Sequence, residues 1–470
     1  MNISKKSNHK IFSLISSLLF SLLFFKQNLG LNMFLFSLLT TSILVLLYPN
    51  RFKHQKVIIY SLLYLLSSSL IFFYNSGLTM ITSVLSLFIL LGTILESESS
   101  IYIQFFNGVY TTIASFFARK FEQFNEETIS VKKKSINYMY WFKMIGIPLF
   151  TLTIFIILYQ SANPYFNEII QKIDLSFINL QWVLFTVFGY FLMNNITNPI
   201  EIEPLTTTDL KISNKLVKNE TNSQSEESLI QENQLGVVLF VVLNSLIIFF
   251  LITDVFFISK ITDLQASDLS KTVHEGVYAL IVSFVFAISI ILYFFRGNLN
   301  FFSKNRNLKL LTFAWITLNI FLIFITYYKN YLYVTHYGFT YKRIGVFMYL
   351  GLSIIGLVTT FIKVNKVYNL WYLFRKNFQI AYLLLILSTS INWDVLITKY
   401  NTTIAKTTDI NYLIQLSDNN TFLLKKHVEL YPNKGTSEET LNIETKYLDY
   451  IEKLKEQDWQ ELTFDNLKTY

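Results

Sequence analysis

The sequence predicts an all-α integral membrane protein with about eleven transmembrane helices. Three observations carry that expectation. Hydrophobic residues make up 52% of the 470 positions and charged ones 15%, whereas roughly a quarter of an average soluble domain is charged. The apolar residues stand in uninterrupted blocks instead of recurring at a helix or strand period. Lys and Arg fall almost entirely into alternate gaps between those blocks.

A membrane-crossing helix needs about 20 mainly apolar residues, because each rises ~1.5 Å across a core of ~30 Å. The runs are 11–25, 29–48, 57–74, 78–95, 141–159, 177–193, 235–258, 274–295, 308–328, 343–362 and 371–391. The first follows Lys5, Lys6 and Lys10 as a signal peptide would, but only Lys26-Gln27-Asn28 comes after it. With no small-x-small cleavage pattern, it reads as an uncleaved anchor. The eleventh includes Arg375 and Lys376, which are expected to snorkel to the surface.

With residues 1–10 in the cytoplasm, about 23 Lys and Arg lie in inside segments and about seven in the outside gaps between spans. Cationic loops are retained on the cytoplasmic side. The expected topology in the cell membrane is therefore a cytoplasmic N-terminus and an extracytoplasmic tail. The net charge of +8 belongs to these loops, where it serves orientation and contact with anionic headgroups; no nucleic-acid partner is expected.

The elements follow in order. Four spans over 11–95 precede a cytoplasmic segment, 96–140. There Phe105, Phe106, Tyr110, Ile113, Phe116 and Phe117 recur at three- and four-residue steps, opposite Gln104, Asn107, Thr111, Ser115 and Arg119. This is an amphipathic helix, lying either in the headgroup plane or against the cytoplasmic face of the bundle. Lys132, Lys133 and Lys134 behind it suit anionic lipid.

Two spans occupy 141–193. Residues 194–234 are polar, contain Pro199 and Pro204, and are expected to be a flexible cytoplasmic linker. Five spans fill 235–391, and 392–470 is expected to be a small helical extracytoplasmic module. In the module Ile410, Leu413, Ile414 and Leu416 are helically spaced, Pro432 and Gly435 make a turn, and Thr436-x-x-Glu439 is a capping box. It is expected to bind an envelope protein partner or to close over the outer ends of the spans.

Several chemistries find no motif. No Gly-x-x-x-x-Gly-Lys-Ser/Thr loop or Gly-x-Ser-x-Gly elbow occurs, and His274-Glu275-Gly276 lacks the second His of a zinc helix. Cysteine is absent, so thiolate and disulfide chemistry are excluded. No catalytic residue and no cofactor is assigned. The strongest constellation is Asp254, Asp268, His274, Glu275, His336 and Arg343, all placed at one membrane depth on the outer face. Ionisable groups there are costly and are usually paired or functional. A salt-bridge belt, a ligand or ion site, and a metal site all remain open for it.

At these residues the chain resembles bacterial membrane families. The segments are Asp263-Leu264-Gln265-Ala266-Ser267-Asp268-Leu269-Ser270, Val273-His274-Glu275-Gly276-Val277-Tyr278, and Tyr293-Phe294-Phe295-Arg296-Gly297-Asn298-Leu299-Asn300. Tyr337-Gly338-Phe339-Thr340-Tyr341-Lys342-Arg343, Lys399-Tyr400-Asn401 and Tyr412-Leu413-Ile414-Gln415-Leu416-Ser417 fit as well. The families are those called domain of unknown function 4153 and 4173. The resemblance implies a multipass bacterial membrane protein and supplies no activity. The favoured function is a non-enzymatic envelope sensor, scaffold or regulator. The alternatives are a secondary transporter and a membrane-embedded enzyme using the outer His/Glu cluster.

Overall fold

A computed structural model describes residues 3–129, 138–166, 179–218, 225–260, 266–431 and 436–468, with side chains except at 3–8, 120–142, 145, 149, 153 and 257–279. The regular structure of the described residues is helical, with no strand beyond an isolated bridge between Lys215 and Tyr368. In chain order the helices are α1 (Ile3–Phe24), α2 (Leu31–Leu47), α3 (Gln55–Phe73), α4 (Gly77–Leu95), α5 (Ile101–Ile129) and α6 (Tyr138–Ala162). After them come α7 (Leu180–Thr197), α8 (Glu203–Lys211), α9 (Glu226–Lys260), α10 (Ala266–Phe294), α11 (Arg306–Tyr337) and α12 (Tyr341–Lys366). The last are α13 (Leu370–Thr389), α14 (Trp393–Thr403), α15 (Ile410–Ile414), α16 (Thr421–Leu430) and α17 (Ser437–Glu456).

Helix starts follow local chemistry. Ser76 caps α4, Asn369 caps α13 and Asn392 caps α14, each accepting from a backbone N–H three residues on. Thr436 and Glu439 form the expected capping box at α17. Among the described residues, five helices are long and apolar enough to cross a membrane: Gln55–Phe73, Gly77–Leu95, Glu226–Phe256, Arg306–Tyr337 and Tyr341–Lys366. A sixth is formed if α13 and α14, bent by 62°, count as one span. Shorter apolar helices are His9–Phe24, Leu31–Leu47, Gly146–Ala162 and Leu280–Phe294.

Burial runs opposite to that of a water-soluble bundle. Leu62, Ile81, Leu246 and Phe286 are 60–65% exposed, while Ser67, Ser68, Thr82, Ser83 and Ser86 are wholly buried. Lipid tails are as apolar as Leu, so small polar residues that let helices approach and hydrogen-bond take the contacts instead. Ser68 and Ser83 join α3 to α4 through hydroxyls 2.7 Å apart. Gly92 faces the backbone of Gln104 so closely that any Cβ there would collide with it.

The chain divides into two units. The first comprises Met1–Gln27, Leu39–Leu47 and Val109–Ile200. In it α1 packs on α7: Ser13 bonds Thr197 at 2.8 Å, Ser21 bonds Thr186 at 2.6 Å, and Phe20 stacks on Phe185 with centroids 5.1 Å apart. The second comprises Asn28–Leu38, Tyr48–Gly108 and Glu201–Tyr470.

Within the second unit the polar ends of the helices fall into two sets. One set joins Lys56 to Ser97 and Glu98, Asp209 to Ser100 and Arg375, Asn214 to Asn369, and Lys363 to the Phe295 carbonyl. The other joins Asn419 to Asn75, Asn75 to Leu29, Tyr74 to Thr389, Lys329 to Asp254 and Leu31 to Leu462.

Two expected segments look different in three dimensions. The helix expected within 96–140 forms as α5, but its polar stripe is the inward one. Gln104, Asn107, Thr111 and Ser115 are buried, while Phe106, Ile113 and Phe117 are 52–64% exposed. Asn107 accepts from Ile202 N and donates to Thr206; Ser115 donates to Asn195, and Arg119 reaches the Asn194 and Asn198 carbonyls.

Residues 194–234, expected to be a linker, carry the end of α7, all of α8 and the first turns of α9. The ordering comes from Asp209, which is 5% exposed. It accepts from Ser100 N at 2.7 Å, Ser100 Oγ at 2.6 Å and Arg375 at 3.0 Å. Arg375, expected to snorkel, instead also bonds the Asp209 and Ile212 carbonyls and Asn214.

Candidate functional site

Three of the family-like segments, 337–343, 399–401 and 412–417, meet where the tail settles on the α11–α12 turn, all within the second unit. That turn needs a glycine. Gly338 has φ +73°, a left-handed value, and a Cβ there would strike the Asn401 side chain. Asn401 on α14 accepts from Phe339 N at 2.6 Å and donates to Phe339 O at 2.8 Å. Thr340 caps α12 by accepting from Arg343 N. From the first turn of α12, Arg343 returns to the carbonyls of Tyr337 at 2.6 Å and Gly338 at 2.5 Å, with its guanidinium 4.0 Å from the Tyr333 ring centroid. One residue supplies the turn, one clamps its far side, and one caps the carbonyls it leaves free.

Tyr341 and Asp394 make the second layer. Tyr341 N donates to the Tyr412 hydroxyl at 3.0 Å, and the Tyr341 hydroxyl donates to Asp394 Oδ1 at 2.6 Å. Ser417 donates to Asp394 Oδ2. The Asp394 carboxylate is 3% exposed, and no Lys or Arg forms an ion pair with it among the described residues.

Lys446 on α17 fastens the tail from outside. Its ammonium donates to Ile414 O at 2.9 Å, Leu416 O at 2.7 Å, Ser417 O at 3.2 Å and Asn420 Oδ1 at 3.1 Å. Burial lowers this ammonium below the ordinary lysine value, against the attraction of Asp418 and Asp394. Beneath lies an apolar core of Ile344, Ile397, Leu413, Leu416, Leu424 and Ile443. A cavity of about 210 Å³ opens beside Asp394, lined also by Tyr74, Gly77, Tyr341, Trp393 and Asn419.

The six residues singled out in the sequence are distributed as follows. Asp254 pairs with Lys329, both mostly buried. Arg343 belongs to the tail seat described above. His336 sits at the end of α11, where its carbonyl accepts from Thr407 and its ring lies 3.4 Å from Lys406 Nζ. Asp268, His274 and Glu275 lie on α10, with their side chains outside the described residues. Asp263, the Lys132–Lys134 run and the Pro432/Gly435 turn also lie outside them. No group of three or more His, Asp or Glu that could hold a metal occurs among the described residues.

Asp394, Trp393 and Lys446 were not singled out by sequence reading. The available signal for the first was an acid in the first turn after a capping Asn392.

The helices define the class: an all-helical protein with, among the described residues, five or six helices long and apolar enough to cross a membrane. The chain belongs to the family described as Domain of unknown function (DUF4153), whose model matches residues 14–426. That match runs on from the spans through α14 and α15 and ends within α16. No curated protein and no solved structure matches the chain.

Proposed function

We propose that the chain is a bacterial cell-membrane protein with eleven transmembrane helices, a cytoplasmic N-terminus and an extracytoplasmic tail. It serves as a non-enzymatic envelope sensor, scaffold or regulator. The single observation that carries the functional reading is the tail seat. Asn401, Tyr412, Ser417 and Asp394 of the tail hydrogen-bond to Phe339 and Tyr341, or to each other, where α11 turns into α12. A partner or ligand that grips the tail therefore bears on the ends of two spans.

The two sets of helix-end contacts support the alternation of sides. Among the described residues, gaps carrying the positive excess touch one another, and the tail touches gaps of the other kind. The outward apolar face of α5 supports contact with lipid over packing in water.

The chain has no cysteine, so its topology can be read from single replacements. Ser437→Cys is expected to react with an impermeant maleimide in intact spheroplasts, and Ser225→Cys only after permeabilisation. The reverse result defeats the orientation. For coupling, Asn401→Ala is expected to speed amide exchange both in the tail and at the α11–α12 turn; a change confined to the tail defeats the sensor reading.

A secondary transporter is the alternative, favoured by the bent pair α13–α14 and by Asn244 and Asn319 buried within spans. Substrate-dependent flux in proteoliposomes would distinguish it.

A further inference from the structure

We propose that the cavity beside Asp394 is a binding site for a small organic cation, a primary or substituted ammonium group. Three aromatic residues, Tyr74, Tyr341 and Trp393, line it together with Asp394. Aromatic faces attract cations, and a buried carboxylate favours a charge-assisted donor over a neutral one. The carboxylate has acceptor capacity left. Two oxygens offer about four lone-pair positions, and the Tyr341 and Ser417 hydroxyls occupy one on each oxygen. Lys446, whose ammonium feels the Asp394 charge, is committed to three carbonyls and Asn420.

Size narrows the ligand. At about 210 Å³ the cavity has room for a few heavy atoms, a liquid water taking ~30 Å³. An alkylammonium head fits this description, either free in solution or as the headgroup of a lipid. Because the ring of residues around the cavity includes α4, the α13–α14 bend and the tail, an occupant would tighten the tail seat. The inference deepens the proposed sensor by naming what its tail seat would recognise.

Ethanolamine is the probe for the free cation, with ethylene glycol as its neutral match. Purified full-length protein in detergent is expected to be stabilised saturably by ethanolamine in thermal unfolding and not by ethylene glycol. Nanodiscs with phosphatidylethanolamine, compared with phosphatidylglycerol alone, test the headgroup source. Stabilisation in only one of these arms identifies the source.

Asp394→Asn is expected to weaken the response at least tenfold. Gly77→Leu fills the cavity from α4, where a Cβ meets nothing within 4 Å, and leaves the carboxylate and its partners intact. It too is expected to weaken binding tenfold or more. No stabilisation in either arm, an equal response to ethylene glycol, or wild-type binding by Gly77→Leu overturns the site. The maleimide experiment fails or succeeds independently, since it decides only which compartment the cavity opens toward.

Discussion

Asn401 holds the backbone of one residue, Phe339, at both its N–H and its carbonyl, and so fastens the tail to the α11–α12 turn. Its removal leaves Phe339 N and O without their partner in a partly buried setting. Asn401→Ala is expected to destabilise the tail seat by ~2–3 kcal/mol, the cost of two such orphaned groups, readable as a lower thermal midpoint. Asp209 allows a prediction in pH. Burial pushes its carboxyl upward, but the bonds from Ser100 and the Arg375 guanidinium outweigh that and hold it below the usual carboxylate value. Its folded pKa is thus depressed, so its stabilisation is present above the ordinary carboxylate range near ~4 and is lost as pH falls through the folded value. Thermal midpoints measured on descending pH should fall in that range for the wild type and less steeply for Asp209→Asn.

At the scale of the element, α5 separates pattern from placement. Periodicity identified both of its faces correctly as faces, but a helical wheel has no sign: it does not say which side meets protein. In water the Phe and Ile stripe would turn inward; here the Asn, Thr and Ser stripe does, and its hydrogen bonds find partners there. Ile113→Asp is expected to impair recovery of folded protein in bilayers, since it puts a charge on the outward face, whereas Ile113→Leu should be neutral. The capping box at α17 was fully local and therefore legible. Thr436→Ala should cost ~1 kcal/mol, seen as faster amide exchange in the first turn of α17.

At the scale of the whole molecule, the alternation of positive gaps has a three-dimensional counterpart in the two sets of helix-end contacts of the second unit. Single cysteines at Asn75, Lys342 and Ser437 are expected to label from one side of the membrane. Those at Lys53, Glu98, Ser213 and Lys304 should label from the other. A mixed pattern within either group would break the proposed parity, whichever side proves cytoplasmic. The candidate site divides along the same line. Arg343 and the Tyr337–Arg343 and Lys399–Asn401 segments were visible as family-like stretches, yet nothing local shows that Asn401 closes on Phe339 across 62 positions.

The sequence by itself determined the class of protein, most helix positions and the cap of α17, because apolar run length, loop charge and capping act over a few residues to a few turns. Only the tertiary structure decided that Asp254 pairs with Lys329 and Arg375 with Asp209. It alone placed Asp394 beside an aromatic cavity and turned the polar face of α5 inward. Those choices depend on which polar groups meet across long separations in the chain, where hydrogen bonding in an apolar surround, and not periodicity, selects the partner.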